Sequence, residues 1–384
     1  MYYLFKISLL FSLICLVRVN CQEASSCVDA DGRNGTCVSF NKCLAVPKLM
    51  QEGKRPTTCS YNGDEPIVCC SDCELVDDIS IAVVDREGGY HFKTGQKSYD
   101  KCLQYMVTLP YQCSPANGLK RIWFDKYQCH NYSIVYVQSA AGGVDAKRAE
   151  YPHMALLGYG DNLNTTQWLC GGSVISDKYI LTAAHCIGSP TLGPVTFVAM
   201  GILKRTDSPE LWQRYKVKKI IPHPEYKAPS KYHDIALLET EERIRFSTEV
   251  LPACLNTGDA FDLSAWATGW GALGHRKQLA DNLQTVFLLK YDEIECLAQY
   301  PPHRHLVNGY DHAKQMCYGD KHNPKDTCEG DSGGPLQVSS SFSSCIYVVI
   351  GVTSYGRACG FAGSSGMYTR VSHYVPWIES VVWP

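Results

Sequence analysis

A serine flanked by glycines is the residue best placed in this chain to act as a nucleophile. Ser332 lies in the six-residue run Gly-Asp-Ser-Gly-Gly-Pro. A serine hydroxyl is a weak nucleophile at neutral pH, so it needs a base and a third group that fixes the tautomer of that base. Upstream, His185 in Leu-Thr-Ala-Ala-His-Cys and Asp234 in His-Asp-Ile-Ala-Leu-Leu supply these two residue types. Together the three side chains predict nucleophilic attack on a carbonyl group.

The backbone near Ser332 offers a second chemical element. Glycines beside the serine let the chain turn sharply, which leaves the N–H groups of Gly330 and Ser332 free to point at a developing oxyanion. One such donor is typically worth about 10²–10³ in rate. Taken singly, each segment has an ordinary structural interpretation: a turn, a packing histidine and a buried strand. Their occurrence together, in the order His, Asp, Ser, favours the catalytic interpretation.

The motifs around His185, Asp234 and Ser332 resemble those of the trypsin-like serine proteases of the chymotrypsin family. The resemblance implies that these residues form a catalytic triad and that Gly330 and Ser332 supply the oxyanion hole. It also implies an all-β fold of two six-stranded antiparallel β-barrels with the site in the cleft between them. Many short β-rich runs separated by glycine and proline agree with this fold.

Substrate preference follows from the same resemblance. In the family, the residue six before the nucleophile lies at the base of the pocket for the side chain that precedes the scissile bond, and here it is Asp326. A carboxylate there suits Arg or Lys, whereas an ordinary surface aspartate is the alternative. Ser354, Gly356 and Gly366 match the pocket walls. Ser354 also matches the serine that hydrogen-bonds the triad aspartate. We therefore expect cleavage after Arg or Lys.

The N-terminus predicts secretion into an extracellular, haemolymph-like fluid. An apolar run from Ile7 to Val17 is too short to span a bilayer, and we assign residues 1–21 as a signal peptide. No later stretch is long and apolar enough for a membrane helix. Of the 20 cysteines, two lie in the signal, which leaves an even number, as an oxidised chain requires. Three asparagines stand in glycosylation sequons: Asn34, Asn131 and Asn164.

The composition argues against several partner classes. The 36 basic and 38 acidic residues give a net charge of −2, so neither nucleic acid nor an anionic membrane is an expected partner. Four histidines are close in sequence, but the prolines among them indicate a loop rather than a ligand face. They are His303, His305, His312 and His322. Ile202 argues against calcium, since it stands where calcium-binding relatives place an acidic ligand, and Asp207 and Glu210 in the same loop are the alternative ligands. The sequence thus predicts no metal and no cofactor.

Six cysteines near the N-terminus are closely spaced and end in an adjacent pair. Sequence alone allows 15 connectivities for six cysteines. The spacing resembles a clip domain, which we assign to residues 27–70. The family pattern implies three bridges: Cys27–Cys69, Cys37–Cys59 and Cys43–Cys70. The segment has too few large apolar residues for a core of its own, so the bridges would stabilise it by about 2–4 kcal/mol each.

Residues 71–139 are predicted to be a linker and pro-segment, and residues 140–384 a trypsin-like protease domain. Four cysteines in the linker argue against a wholly flexible tether, and a short helix is a candidate near Lys101. The resemblance implies three protease bridges: Cys170–Cys186, Cys296–Cys317 and Cys328–Cys359. It also implies that Cys254 ties the protease to its pro-segment, with Cys129 as the partner. Four cysteines stay unassigned: Cys73, Cys102, Cys113 and Cys345.

Zymogen activation is where the chain departs from the family pattern. The segment Ala-Ala-Gly-Gly that begins at Ala140 aligns with the activation junction, where a large aliphatic pair normally follows a basic residue. The preceding residue here is Ser139. A new Ala140 ammonium can still pair with Asp331, because that ion pair uses the backbone amine. The alternative is that this junction is never cut.

These observations lead to one expected function and two alternatives. We expect a secreted clip-domain serine protease, similar to the snake-like branch in arthropods, made as a zymogen and acting in an extracellular cascade. Immune signalling, melanisation, clotting and development are outputs that the resemblance permits. Expected partners are protein substrates such as a downstream zymogen, an upstream activating protease and serpin-type inhibitors. The alternatives are a venom or salivary protease and a non-catalytic adaptor that uses both folds as binding surfaces.

Overall fold

The computed structural model describes residues 26–30, 32, 34–40, 43, 46, 49–50, 53–62, 65–71, 83–84, 90–91, 93–108, 111–114, 118–121, 143–247, 249–258, 263–324, 326–340, 346–356, 359 and 361–384. The predicted signal peptide therefore lies outside the described residues. These residues form two compact units. One contains the described residues up to Val76 together with Tyr111–Arg121, and the other contains those of Asp77–Pro110 and Ile122–Pro384.

The strands, in chain order, are β1 (Ser26–Val28), β2 (Asn34–Ser39), β3 (Thr58–Asn62), β4 (Glu65–Cys70), β5 (Val83–Val84), β6 (Tyr90–His91), β7 (Tyr111–Ser114), β8 (Gly118–Arg121), β9 (Val144–Asp145), β10 (Met154–Tyr159), β11 (Gln167–Val174), β12 (Tyr179–Thr182), β13 (Gly188–Ser189), β14 (Gly193–Met200), β15 (Gln213–Pro222), β16 (Ala236–Thr240), β17 (Cys254–Leu255), β18 (Ser264–Gly269), β19 (Gln284–Lys290), β20 (Gln315–Gly319), β21 (Pro335–Ser339), β22 (Tyr347–Gly356) and β23 (Ser365–Arg370). The α-helices are α1 (Lys97–Thr108), α2 (Glu293–Gln299) and α3 (Val371–Val382), and 3₁₀ turns lie at Ala184–Ile187 and Pro209–Leu211.

Disulfides dominate the first unit. Its four-stranded antiparallel sheet has the order β1-β2-β4-β3, and its small core contains Val38, Val46 and Val68. The three bridges present are those that the clip resemblance implies: Cys27–Cys69, Cys37–Cys59 and Cys43–Cys70. Few apolar side chains are buried among the described residues of this unit, so its stability depends on the bridges. The bridges stabilise it by limiting the freedom of the unfolded chain, whereas a larger domain relies on its core.

Six antiparallel strands close the first barrel of the second unit. They pair in the order β10-β11-β12-β16-β15-β14, and β14 returns to pair with β10. Every residue of β10 is buried. Isoleucine and leucine in β12 are fully buried as well, as expected for strands that fill a small barrel. Thr182 at the end of β12 lies opposite Ala236 at the start of β16. The residues just beyond these two positions therefore come together at one end of the barrel.

The second barrel has the same construction. Its strands pair in the order β22-β21-β18-β19-β20-β23, and β23 closes on β22. Large side chains fill its interior, and those with no exposed surface are Leu288, Tyr318, Leu336, Ile350 and Tyr368. The predicted all-β fold with two six-stranded antiparallel barrels is thus confirmed. Within the described residues, no helix is long and apolar enough to cross a bilayer.

Helix α1, in the segment predicted to be a linker, packs on the protease unit. It begins four residues before the expected Lys101. The backbone N–H and the hydroxyl of Ser98 donate to Glu379 Oε1 of α3 at 2.8 and 2.6 Å. Tyr105 meets the ring of Phe246 edge to face, with 6.1 Å between centroids. These hydrogen bonds and the ring contact hold helix α1 on the protease unit.

The predicted Cys129–Cys254 bridge is wrong. Cys254 bonds to Cys102 of α1, with 5.2 Å between their Cα atoms. Both cysteines are buried, because the amphipathic helix turns Cys102 and Leu103 toward the protease unit and next to β17. Spacing along the chain could not distinguish the two partners, since the choice depends on where the helix packs. Cys129 lies outside the described residues, as do Cys73 and Cys345.

We expect peptide mapping of the non-reduced protein to yield one cross-linked pair that contains Cys102 and Cys254. The reason is that both sulfurs are already bonded in the folded unit. A Cys129→Ser variant serves as the control and should keep this pair. Recovery of a Cys129–Cys254 peptide by mass spectrometry would contradict the assignment.

Candidate active site

The pairing of β12 with β16 positions the first two candidate residues. His185 lies in the 3₁₀ turn that follows β12, and Asp234 lies just before β16 begins. The backbone N–H of His185 donates to Asp234 Oδ1 at 2.8 Å. Its ring Nδ1–H donates to Asp234 Oδ2 at 2.7 Å. Since Nδ1 carries the proton, Nε2 is left as the basic nitrogen.

Exposure differs sharply between the two side chains. That of Asp234 is 2% exposed and that of His185 is 31% exposed. The imidazole is therefore fixed on its buried edge and open to solvent on the other. This is the arrangement that a general base needs in order to take a proton from a nucleophilic hydroxyl.

Further hydrogen bonds hold Asp234 in place. The Ser354 hydroxyl donates to Oδ2 of Asp234, and the Thr369 hydroxyl donates to its backbone carbonyl at 2.9 Å. Burial alone would raise the pKa of Asp234, but the charge of His185 and the hydrogen bonds from His185 and Ser354 outweigh burial and lower the pKa. The carboxylate thus stays ionised and can stabilise a protonated imidazole.

Ser332 reaches the site from the second barrel, in the turn before β21. Its carbonyl accepts a hydrogen bond from the N–H of Gly171 in β11 at 2.8 Å. The next residue, Gly333, has a φ of 77°, and a Cβ there would lie 2.2 Å from Thr182 Oγ1. Only glycine fits this position. The turn is therefore held against the first barrel, close to the strand that leads to His185.

Two backbone donors near Ser332 are available to a ligand. In the part of the chain that the structure describes, the N–H groups of Gly330 and Ser332 donate no hydrogen bond. The N–H between them, from Asp331, donates to the carbonyl of Cys328 at 3.0 Å. The two unoccupied donors are those predicted from the sequence, and such a pair can stabilise a developing oxyanion.

A pocket of about 240 Å³ opens beside Ser332. Ser354 and Gly356 line it, as the sequence predicts. Gly366 lies directly opposite Gly356 in the pairing of β22 with β23. Tyr355 lies between Ser354 and Gly356 in the same predicted wall segment. Other lining residues were not predicted: His275, Arg276 and Glu329. Of these, only Glu329 could have been found from the sequence, by its place three residues before the nucleophile.

Asp326 is 3% exposed and lines a small cavity, shared with Asp331, that is separate from this pocket, although the adjacent Thr327 lines both. Its Oδ2 accepts a hydrogen bond from Ser364 at 3.3 Å, while Oδ1 has no hydrogen-bond partner among the described residues. A Cβ at Gly366 would come within 3.0 Å of Oδ1, so glycine permits this close approach. Burial raises the pKa of Asp326 to about 7. Within the described part of the chain, no cation forms an ion pair with this buried carboxylate.

Asp331 lines the same small cavity, of about 30 Å³, together with Gly143. Its oxygens accept hydrogen bonds from the N–H groups of Gly271 and Cys328, each at 2.8 Å. Burial nevertheless raises the pKa of Asp331 to about 6. The predicted partner Ala140, like Ser139, lies outside the described residues. Gly143 brings the chain to the cavity three residues after Ala140.

The remaining predicted residues are distributed over the molecule. The three predicted protease bridges are present: Cys170–Cys186, Cys296–Cys317 and Cys328–Cys359. Cys170–Cys186 adjoins His185, and Cys328–Cys359 lines the pocket at Ser332. Asn164 is exposed in the loop between β10 and β11, Asn34 begins β2, and Asn131 lies outside the described residues.

Comparison with known proteins agrees with this geometry. The Trypsin family matches residues 140–378. Serine protease snk of Drosophila melanogaster is 31% identical over 91% of this chain and 77% of its own length. Melanization protease 1 of the same fly is 34% identical over 93% and 92%. CLIP domain-containing serine protease C9 of Anopheles gambiae is 34% identical over 62% and 67%. The chain therefore belongs to the trypsin family of serine endopeptidases, among the clip-domain proteases of arthropods.

Proposed function

We propose that the protein is a secreted zymogen whose cleaved form hydrolyses protein substrates after Arg or Lys within an extracellular cascade. The observation that carries this proposal is the hydrogen-bonded pair of His185 and Asp234. A glycine-flanked Ser332 whose turn is held against β11 and a buried Asp326 whose Oδ1 has no hydrogen-bond partner among the described residues support it. Relatives named for melanisation and for a clip domain support the cascade role. The paired cysteines support an oxidising compartment.

The proposed reaction is acyl transfer through a covalent intermediate. Nε2 of His185 takes the proton as Ser332 Oγ attacks the scissile carbonyl, and Asp234 stabilises the resulting imidazolium. The N–H groups of Gly330 and Ser332 bind the tetrahedral oxyanion. The imidazolium then gives its proton to the leaving amine, and water repeats the sequence on the acyl-enzyme.

Asp326 is proposed to select the residue before the scissile bond. A substrate guanidinium or ammonium would supply the cation that the buried carboxylate lacks. Gly356 and Gly366 leave room for a long side chain between β22 and β23. Ser354, which lines the pocket and also holds Asp234, links substrate binding to the orientation of the triad.

Activation is proposed to follow a cut between Ser139 and Ala140. The new ammonium would pair with Asp331, whose carboxylate has only backbone N–H partners in the described part of the chain. Because no basic residue lies at this bond, the activating protease has to accept small or polar residues, or to cut nearby before trimming. An adaptor without catalysis would need no such carboxylate.

The first test compares the cleaved protein with its Ser332→Ala variant. A Ser139→Arg change in both allows controlled cleavage by trypsin, and mass spectrometry verifies the Ala140 terminus. Because the nucleophile is lost, the alanine variant should lose peptide hydrolysis by at least about 10⁴-fold and should not react with a fluorophosphonate probe. Equal, negligible labelling of both folded proteins would instead favour the adaptor.

Substrate selection is tested with Asp326→Ser. Breaking a buried ion pair costs about 3–5 kcal/mol, so kcat/KM for Arg and Lys peptides should fall by about a hundredfold or more. Peptides with an apolar residue at that position are the control and should be affected much less. An equal loss on both peptide classes would show that Asp326 does not contact the substrate side chain.

The same assignment predicts a pH dependence. Burial raises the pKa of Asp326 to about 7, and only the ionised form binds a cation. The ratio of kcat/KM for an Arg peptide to that for an apolar peptide should therefore rise with pH and level off above about 7. The apolar peptide uses the same triad but needs no cation-binding carboxylate, so the ratio isolates the contribution of Asp326. In Asp326→Ser the ratio should not vary with pH.

Activation is tested with Ala140→Ile in the Ser139→Arg background. Isoleucine has three more side-chain carbons than alanine, worth about 2–3 kcal/mol if they are buried beside the ion pair. We expect the cleaved isoleucine variant to have a higher kcat/KM. Its gain in rate should be larger at low substrate concentration than at saturation. An unchanged or lower value with verified termini would show that the cavity already fits alanine.

A further inference from the structure

Two histidines meet at the neck of the loop that joins β15 to β16. His223 directly follows β15, and its N–H donates to the carbonyl of Ile235 at 3.0 Å. His233 immediately precedes Asp234. The two rings lie nearly parallel, with an angle of 9° between their planes and 5.2 Å between centroids. Ten positions separate them in the sequence, so their proximity depends on the closure of the loop by the strand pair.

Glu225 in the same loop adds a carboxylate. Its Oε2 lies 3.6 Å from Nδ1 of His233. One ligand atom from each of His223, Glu225 and His233 lies within 4.8 Å of the others. With metal–ligand bonds of about 2.0–2.2 Å, two ligands on a tetrahedral Zn²⁺ ion lie about 3.4 Å apart. To bind one ion, the three atoms would have to approach one another by up to about 1.4 Å, and side-chain rotation would have to tilt the two parallel rings toward each other.

The surroundings hold the histidines while leaving the carboxylate exposed. The Tyr374 hydroxyl lies 3.2 Å from Nδ1 of His233, and the ring of Trp377 meets that of His223 at 5.0 Å between centroids. Both aromatic residues belong to α3. The side chain of His233 is 14% exposed and that of Glu225 is 69% exposed. An ion can therefore enter from solvent, and Glu225 can close onto it.

Other clusters of potential ligands in the described residues are chemically occupied. Cys27, Cys37 and Cys59 form one cluster, and Cys170 and Cys186 form another with His185. All these sulfurs are in disulfides, so none can act as a thiolate ligand. The histidines and glutamate of the β15–β16 loop carry no such restriction.

We propose that His223, Glu225 and His233 form a binding site for a divalent transition-metal ion such as Zn²⁺. Two imidazoles and a carboxylate are a donor set that suits Zn²⁺ and Cu²⁺ better than Mg²⁺ or Ca²⁺. The proposal departs from the expectation of no metal, which weighed the histidines between residues 303 and 322 and the loop at Ile202 but not the β15–β16 loop. The site is independent of the proposed proteolytic function and adjoins the backbone of Asp234.

Calorimetric titration of the uncleaved full chain with ZnCl₂ tests the proposal. We expect one ion to bind at this site, and binding to weaken at least tenfold in His223→Gln, Glu225→Gln and His233→Asn, since even the loss of an outer partner of a ligand costs about 10–100-fold. Asparagine suits position 233 because it tolerates the φ of 56° found there. Thermal unfolding verifies that each variant is folded.

Two control variants separate this site from other histidines. His305→Ala removes an exposed histidine elsewhere, and His185→Ala removes the proposed catalytic base; both should keep wild-type affinity. As a second readout, Co²⁺ should give the visible absorption of a tetrahedral site in the wild type and not in His233→Asn. Wild-type affinity in the three ligand variants, or an equal loss in His305→Ala, would overturn the proposal.

Discussion

The carboxylate of Asp234 is the point at which the two barrels and the candidate site depend on one another. His185 binds it from the first barrel through two hydrogen bonds. Ser354 of β22 and Thr369 of β23 bind the same residue from the second barrel. A buried charge is tolerated only when its lone pairs are satisfied. The packing of one barrel on the other is therefore coupled to the orientation of the imidazole.

Two further carboxylates are buried, and neither forms an ion pair with a cation in the described part of the chain. Burial raises the pKa of Asp326 to about 7 and that of Asp331 to about 6. At a pH between about 3.9, the aspartate pKa of an unfolded chain, and these raised pKa values, the folded chain holds protons that the unfolded chain has released. Each group thus lowers the free energy of unfolding as the pH rises between about 4 and its folded pKa. The pKa of Asp234 is lowered instead of raised, because its interactions with His185 and Ser354 outweigh the effect of burial.

How far the sequence predicts the structure depends on how local the determining interactions are. Ser332, His185 and Asp234 stand in motifs whose turns and strands follow from adjacent residues. The clip bridges were implied by a family resemblance, since cysteine spacing alone leaves 15 connectivities open. The partner of Cys254 depends on where a helix packs, so Cys102 could not be distinguished from Cys129. The proximity of His223 and His233 could not be predicted either, because only the pairing of β15 with β16 brings the ends of that loop together.

The Cys102–Cys254 bond joins a residue that precedes the activation junction to one that follows it. A cut at residues 139–140 would therefore separate the backbone while leaving both pieces, including residues 27–70, in one molecule. A protein bound by the clip unit would then encounter the catalytic unit intramolecularly. Its effective concentration would be set by the length and stiffness of the connecting chain. Scarce substrates would thus be cleaved at rates that their concentration in solution could not support.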